Sequence, residues 1–383
     1  MPWKDKTVEE LRKEFAEAAK TSTNFSSLCR EFGITRKTGY KWLKRVSETN
    51  DLSDHSHTPF SIPGKTSPEI ERLILEKRHN DKWGGKKILQ TLENEGYTDL
   101  PCLRTVNNIL KRNGCISQEE SDKHKPFKQF ERENCNELWQ TDFKGDFGLL
   151  NGERCFPLDI IDDHSRFCLR LEAKSSAKGV MESFEKTFKE YGMPNSILSD
   201  NGAQFAGFKG GYTQFERWLM DLDVAPIHGR FRHPQTQGKI ERFHRSMKYE
   251  FLKFNEFEDL DEAASGLAEW RNKYNTVRPH EALGMKCPAD IYISSERKYP
   301  EKIYSYEYSG IYRMVKINNW GYIRFDKISL FLSETMCDTR VEVRPANNDT
   351  FDVYYRNYRI AQIDAANGVL LNRFVVRAGA PSV

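Results

Sequence analysis

The sequence predicts a multidomain chain of α/β class: helical modules first, a mixed-sheet core next, and a small β-barrel last. Three observations predict it. Apolar residues recur at three- and four-residue intervals through residues 7–114. Strand-like and helix-like stretches alternate through 138–275, and short period-two runs parted by Asn- and Gly-rich turns fill 303–378. A chain of 383 residues also exceeds one ordinary domain. The predicted divisions are 1–50, a linker at 51–66, a second helical module at 67–116, a linker at 117–136, the core at 137–293 and the β segment at 300–378.

In the first module Val8, Leu11, Phe15, Ala18 and Ala19 form one apolar face. NFSSLCREFGITRKTGYKWLKRV then reads as a short helix, a turn at Gly33-Ile34, and a helix starting after Thr35. Leu28, Phe32, Ile34, Tyr40, Trp42, Leu43 and Val46 are its core candidates. This is a helix-turn-helix pattern. Arg36, Lys37, Lys41, Lys44 and Arg45 lie on the helix that would enter a DNA major groove.

Residues 67–116 repeat the theme. Ser67-Pro68 with Glu69 and Glu71 marks a helix start, KWGGKKILQTLENEG gives a second helix, and CLRTVNNILKRNG a third carrying Arg104, Lys111 and Arg112. Their charge assigns them to DNA as well. The two linkers are polar, and the first carries His55 and His57 without a second ligand pair.

In the middle region LWQTDFKGDF reads as a strand and FPLDIIDDHSRFCLRLEA as a hairpin. AKGVMESFEKTFKEYG reads as a helix, SILSDNG as a strand and turn, YTQFERWLMDL as a helix and VAPIHG as a strand. GKIERFHRSMKYEFLKF and DEAASGLAEWRNKYN are helices. Three strands followed by α-β-α-β-α imply a mixed sheet with helices on both faces. The last segment offers four to six short strands, with turns at 318–321, 346–349 and 356–357.

Composition excludes several classes. No window supplies the roughly 18 consecutive apolar residues of a membrane span, and MPWKDKTVEELRKEF lacks the apolar centre of a signal peptide. The eight cysteines stand singly, with no CxxC, as expected for reduced thiols in an intracellular protein. The net charge of +3 is too small to imply nucleic acid by itself; the clustering on particular helices carries that reading.

Three acids stand apart. Asp142 lies inside a strand, where an unpartnered carboxylate is costly. Asp200 ends SIL and opens the Asn201-Gly202 turn, at the strand end where α/β sheets place their sites. Glu241 sits in HPQTQGKIERFHR, on a helix whose Ile240, Phe243, Met247 and Phe251 must face the sheet. It therefore projects sideways in line with Arg245 and Lys248.

LWQTDFKG, IIDDHSRF, LSDNGAQF, HPQTQGKIERFH and RPHEALGMKCPADIY resemble the ordered blocks of integrase-core transposases with an Asp-Asp-Glu triad. More narrowly, they resemble single-frame bacterial insertion-sequence enzymes related to retroviral integrases. The element order is similar to that of the ribonuclease H-like fold. The paired helical modules and the C-terminal β segment fit the same proteins, although the zinc module of retroviral integrases is missing.

The resemblance implies that Asp142, Asp200 and Glu241 are the catalytic, metal-binding triad, with Glu216 and Glu250 as alternatives for the third acid. It also implies two Mg²⁺ ions, replaceable by Mn²⁺, roughly 4 Å apart, with Asp142 bridging. His233, Gln235, Gln237, Lys239, Arg242, Arg245 and Lys248 would grip the scissile phosphate and its neighbours. Asp162 to Arg166 would form the hairpin turn, with His164 as an alternative general base, and Arg278, His280 and Glu281 would pack or touch DNA backbone. The implied function is a DNA transposase that binds terminal inverted repeats and performs metal-dependent strand cleavage and strand transfer. A DNA-binding regulator with an inactive core, or a nuclease that never joins strands, are the competing readings. The implied partners are double-stranded DNA and further copies of the chain, in the bacterial cytoplasm at the nucleoid, with no membrane.

Overall fold

The computed structural model describes residues 7–54, 66–116, 132–207, 211–229, 238–347 and 349–378. Two compact units emerge, residues 1–65 and residues 66–383.

The first unit is three helices: α1 (Val8–Thr21), α2 (Phe25–Glu31) and α3 (Arg36–Glu48). Thr7 and Glu10 form a capping box on α1, and Asn24 and Thr35 cap the other two, so orphan amides at each start find acceptors. Phe15, Leu28, Cys29, Trp42 and Leu52 make the core. A Cβ on Gly39 of α3 would come within 2.9 Å of both Phe15 and Phe25, so only glycine allows this approach. Two expected core residues face water instead: Val8 sits in the exposed first turn of α1, and Tyr40 lies on the outer side of α3, its ring tilted against Phe25.

The second unit begins with α4 (Pro68–Asp81), α5 (Gly85–Asn94) and α6 (Leu103–Arg112). Ser67 caps α4 ahead of Pro68, the start that the sequence predicts. Ile74, Trp83, Ile88, Leu92, Val106, Ile109 and Leu110 fill the space between the three helices.

The core sheet has five strands: β1 (Trp139–Phe143), β4 (Leu158–Asp162), β5 (Cys168–Glu172), β6 (Ser196–Ser199) and β7 (Ala225–His228), in the order β5-β4-β1-β6-β7. β5, β4 and β1 run antiparallel, whereas β1, β6 and β7 are parallel. A short ribbon of β2 (Phe147–Gly148) and β3 (Arg154–Cys155), which the sequence reading lacks, follows β1. Helices α7 (Val180–Tyr191) and α8 (Gln214–Asp221) cover one face through Phe184, Phe188, Phe215 and Leu219. Helices α9 (Gly238–Glu250) and α10 (Leu260–Thr276) cover the other through Ile240, Phe243, Met247, Leu267 and Trp270. All five residues of β4 are buried, as expected for a strand covered on both faces.

Seven strands follow, against the four to six expected: β8 (Arg313–Lys316), β9 (Tyr322–Phe325), β10 (Ile328–Phe331), β11 (Arg340–Pro345), β12 (Thr350–Tyr355), β13 (Tyr358–Asp364) and β14 (Val369–Arg377). They form a sheet ordered β14-β13-β12-β11-β8 and a β9–β10 hairpin. Their core takes in Tyr212 and Met220, so this segment shares apolar packing with α8. The α4–α6 helices are also tied to the core. Trp83 donates its indole N–H to Glu250 at 3.2 Å, and Lys273 pairs with Asp81.

Candidate active site

Strand pleating decides which side chains can meet. Along β1, Trp139 joins the α7–α8 face, so Gln140 and Asp142 point to the α9–α10 face. Along β4, Leu158 and Ile160 take the first face, and Asp159 and Ile161 the second. Asp142 and Asp159 are direct partners in the antiparallel register, so their carboxyls share one side of the sheet.

The parallel pairing brings the second acid alongside. Trp139 and Gln140 pair with Ile197 and Leu198. Asp142 and Asp200 each lie two residues beyond the last of these pairs, side by side at the carboxyl ends of their strands. Asp142 accepts a bond from the Phe143 amide at 2.8 Å, and Asp200 from the Gly202 amide at 2.9 Å. Burial, the neighbouring Asp159 charge and the Asp200 charge push the Asp142 carboxyl up to about 7, against a smaller opposing pull from His244.

The end of β6 is braced by a second arrangement. Ser199 and His228 Nδ1 are 3.2 Å apart, and His228 Nε2 lies 2.8 Å from Glu216. Glu216 also closes the capping box of α8 with Thr213. One alternative third acid is thus occupied in holding the strand that presents Asp200.

Helix α9 crosses the same face of the sheet. Its Lys239 is buried and paired with Asp163 at 2.5 Å. His244 Nε2 meets Asp159 Oδ1 at 2.6 Å. Asp159 is fully buried, which drives its carboxyl up, and its Oδ2 has no hydrogen-bond partner among the described residues. Burial alone would lower the His244 imidazole; the charge and hydrogen bond of Asp159, helped by Asp142, outweigh it and raise it. Glu241 lies between Lys239 and His244 on the exposed rim of the helix, with Arg242, Arg245 and Lys248 exposed around it.

Asp142 and Asp200 are therefore brought together. Glu241 is carried on the helix above them, but among the described residues no three His, Cys, Asp or Glu side chains gather as a metal site. The donor chemistry of the pair nonetheless suits a hard divalent cation. Two adjacent carboxylates repel each other, one is held near half-protonation, and a further buried carboxylate oxygen stands idle beside them.

Several sequence expectations need correction. Lys239 is buried in its ion pair with Asp163 and is not available to DNA. Arg45 is spent internally, bonding the Ser53 carbonyl at 2.9 Å and lying over the Trp42 ring, whereas Arg36, Lys37, Lys41 and Lys44 are exposed. Arg112 is half-exposed but paired with Glu71; Arg104 and Lys111 are exposed. Glu250 grips Arg278 through two bonds of 2.5 and 2.7 Å, so the other alternative third acid is also structurally occupied. His164 sits in the turn beyond Asp162, whose strand partner is Trp139, at the end of β1 away from Asp142. Arg278 and His280 are buried packing groups, and His280 is kept neutral by burial beside Arg278 and Lys87. His233, Gln235 and Gln237 lie outside the described residues.

The sequence reading overlooked Asp159 and His244. Two signals point to them: an Asp inside an otherwise apolar strand, LDIID, and a His three residues after Glu241, hence on the same side of its helix. All eight cysteines are free, and no described helix is long and apolar enough to cross a membrane.

Two family models, both described as integrase core domain, match residues 132–234 and 222–288. An uncharacterized 39.2 kDa protein of insertion element IS476 from Xanthomonas euvesicatoria is 28% identical over 158 residues, covering 41% of this chain and 44% of that protein. The transposase for transposon Tn552 from Staphylococcus aureus is 23% identical over 288 residues, covering 67% of this chain and 58% of that protein. The chain thus spans about half the length of these curated relatives. The HTLV-2 integrase catalytic core domain, solved in complex with magnesium, aligns at a TM-score of 0.32 and 16% identity, over 42% of this chain and 97% of that one. Residues 132–288, which hold the five-stranded sheet and the paired strand-end acids, are thus the stretch matched by integrase core domain models, and the chain is similar in part to insertion-element and transposon proteins.

Proposed function

We propose that the chain is a DNA transposase that binds the terminal inverted repeats of its element and catalyses metal-dependent cleavage and strand transfer. The observation that carries this reading is the side-by-side placement of Asp142 and Asp200 at parallel strand ends, beneath the helix that bears Glu241. Asp142, Asp200 and Glu241 would hold Mg²⁺ or Mn²⁺. The bound ions supply nucleophile activation and neutralise charge on the scissile phosphate and the leaving 3′ oxygen.

The chain's own residues supply orientation. Asp142 and Asp200 are fixed by backbone amides, so they hold their positions without substrate. With the helix held in place, a turn of the exposed Glu241 side chain toward the sheet would complete the triad. Arg242, Arg245 and Lys248 line the exposed side of the same helix, where they would hold DNA phosphates next to the acids. We assign α2 and α3 as a helix-turn-helix with Arg36, Lys37, Lys41 and Lys44 toward DNA. In α6, Arg104, Lys111 and the half-exposed Arg112 are assigned the same use. The C-terminal strands we take as a small barrel, and two element ends cut in concert require a dimer or larger assembly.

The test is a supercoiled plasmid bearing the inverted repeats that flank the gene, incubated with the chain and Mg²⁺ or Mn²⁺. Joined products support transposition. Cuts without joining would assign a nuclease, and gel shifts without either would assign a regulator.

A further inference from the structure

We propose that the Asp159–His244 pair positions the third acid, by locking α9 in register along β4; the proposal rests on the transposase reading of the site. Helix α9 is held to the sheet by two polar anchors on its buried side. Lys239 reaches Asp163 just past the end of β4, and His244 reaches Asp159 within it. Glu241 falls between the two anchors. Apolar packing through Ile240, Phe243 and Met247 fixes which face of the helix meets the sheet, and the two polar bonds at fixed spacing add its register, because a shift would leave Lys239 or Asp159 buried without its partner. The second anchor is also the one nearest the chemistry, because Asp159 is the register partner of Asp142. A continuous path of contacts therefore runs from the first acid, across the strand pair, through His244, to the helix of Glu241. His244 and Asp159 are positioning residues on this assignment, not ligands.

Two substitutions separate this role from plain packing. His244→Gln places an amide N–H near the former Nε2 and can still reach Asp159. His244→Asn is equally polar but one methylene too short. In the full chain, His244→Gln is expected to keep Mn²⁺ affinity and Mg²⁺ half-saturation of strand joining within about threefold of wild type. His244→Asn is expected to weaken both by about tenfold or more, the usual consequence of losing a group that orients a metal-binding residue. In metal-free protein, amide exchange over residues 238–250 should quicken in His244→Asn and not in His244→Gln.

Wild-type behaviour of both variants would overturn the proposal, as would equal impairment of both with equally lowered melting temperatures. A wild-type chain that binds no Mn²⁺ and joins no DNA would instead refute the transposase reading. The exchange comparison would then decide the anchoring claim by itself.

Discussion

Asp142 on β1 sits directly opposite Asp159 on β4, and both carboxyls face the helix that carries Glu241 and His244. Two acids in register, Asp159 fully buried and Asp142 partly so, repel each other, and the fold tolerates them because His244 neutralises one and a proton partly neutralises the other.

The first consequence concerns pH. Asp142 is raised from 3.8 to about 7 by burial and by the charges of Asp159 and Asp200. Metal binding must displace that proton, so apparent Mn²⁺ affinity should fall as pH drops below about 7 and level off above it. Calorimetric titration across pH 5.5–8.5 checks this; a flat profile would remove Asp142 from the metal site.

The same shift has a stability sign. A carboxyl whose folded value exceeds its unfolded one favours the folded state only when protonated. Its ionisation therefore costs stability, increasingly from about pH 4 up to about 7. In metal-free protein, Asp142→Asn should raise the melting temperature at pH 8 by about 2–4 °C and leave it unchanged near pH 4. Equal melting at pH 8 would contradict the raised value.

Asp142→Asn, Asp200→Asn and Glu241→Gln should each reduce strand joining by about a thousandfold or more while gel shifts on the element ends stay near wild type. Joining at wild-type rate by Glu241→Gln would show that another group is the third acid.

Glu250 accepts from Trp83 and from Arg278, and Arg278 is buried. Removing the carboxylate strands that guanidinium. Glu250→Ala should destabilise residues 66–383 by about 3 kcal/mol, read from urea unfolding. A loss below about 1 kcal/mol would mean that Arg278 finds water or another partner.

Basic residues of α3 should separate into two behaviours. Arg36→Ala or Lys37→Ala should lower the salt slope of end binding by about one counterion each. Arg45→Ala should leave the slope unchanged and instead lower the stability of the first helices, because its guanidinium is tied to Ser53 and Trp42. A reduced salt slope for Arg45→Ala would reverse that assignment.

The elements of the core were legible because two periodicities separate them cleanly. β1 alternates every second residue, β4 is a short apolar run covered on both faces, and α7 to α10 repeat every three to four. Asp142 and Asp200 were legible for a related reason: a carboxylate is costly inside one strand and natural at the end of another. The fates of Lys239 and Arg45 were not. A basic residue beside other basic residues reads as a DNA contact until its partner is known, and Asp163 lies 76 residues from Lys239. The Asp159–His244 contact spans 85 residues, and no local pattern encodes a pairing of that range. The β2–β3 ribbon escaped notice because two-residue strands are too short to show alternation.

The docking of Trp83 onto Glu250 has a geometric consequence. Glu250 is the last residue of α9, and Glu241 lies near its first turn. A stiff rod of helix about 14 Å long, nine residues at 1.5 Å each, therefore connects the α4–α6 helices to the rim of the acid pair. If DNA is gripped by Arg104 and Lys111, that rod acts as a gauge: the interval between gripped and severed phosphates follows from helix length and not from the DNA sequence between them.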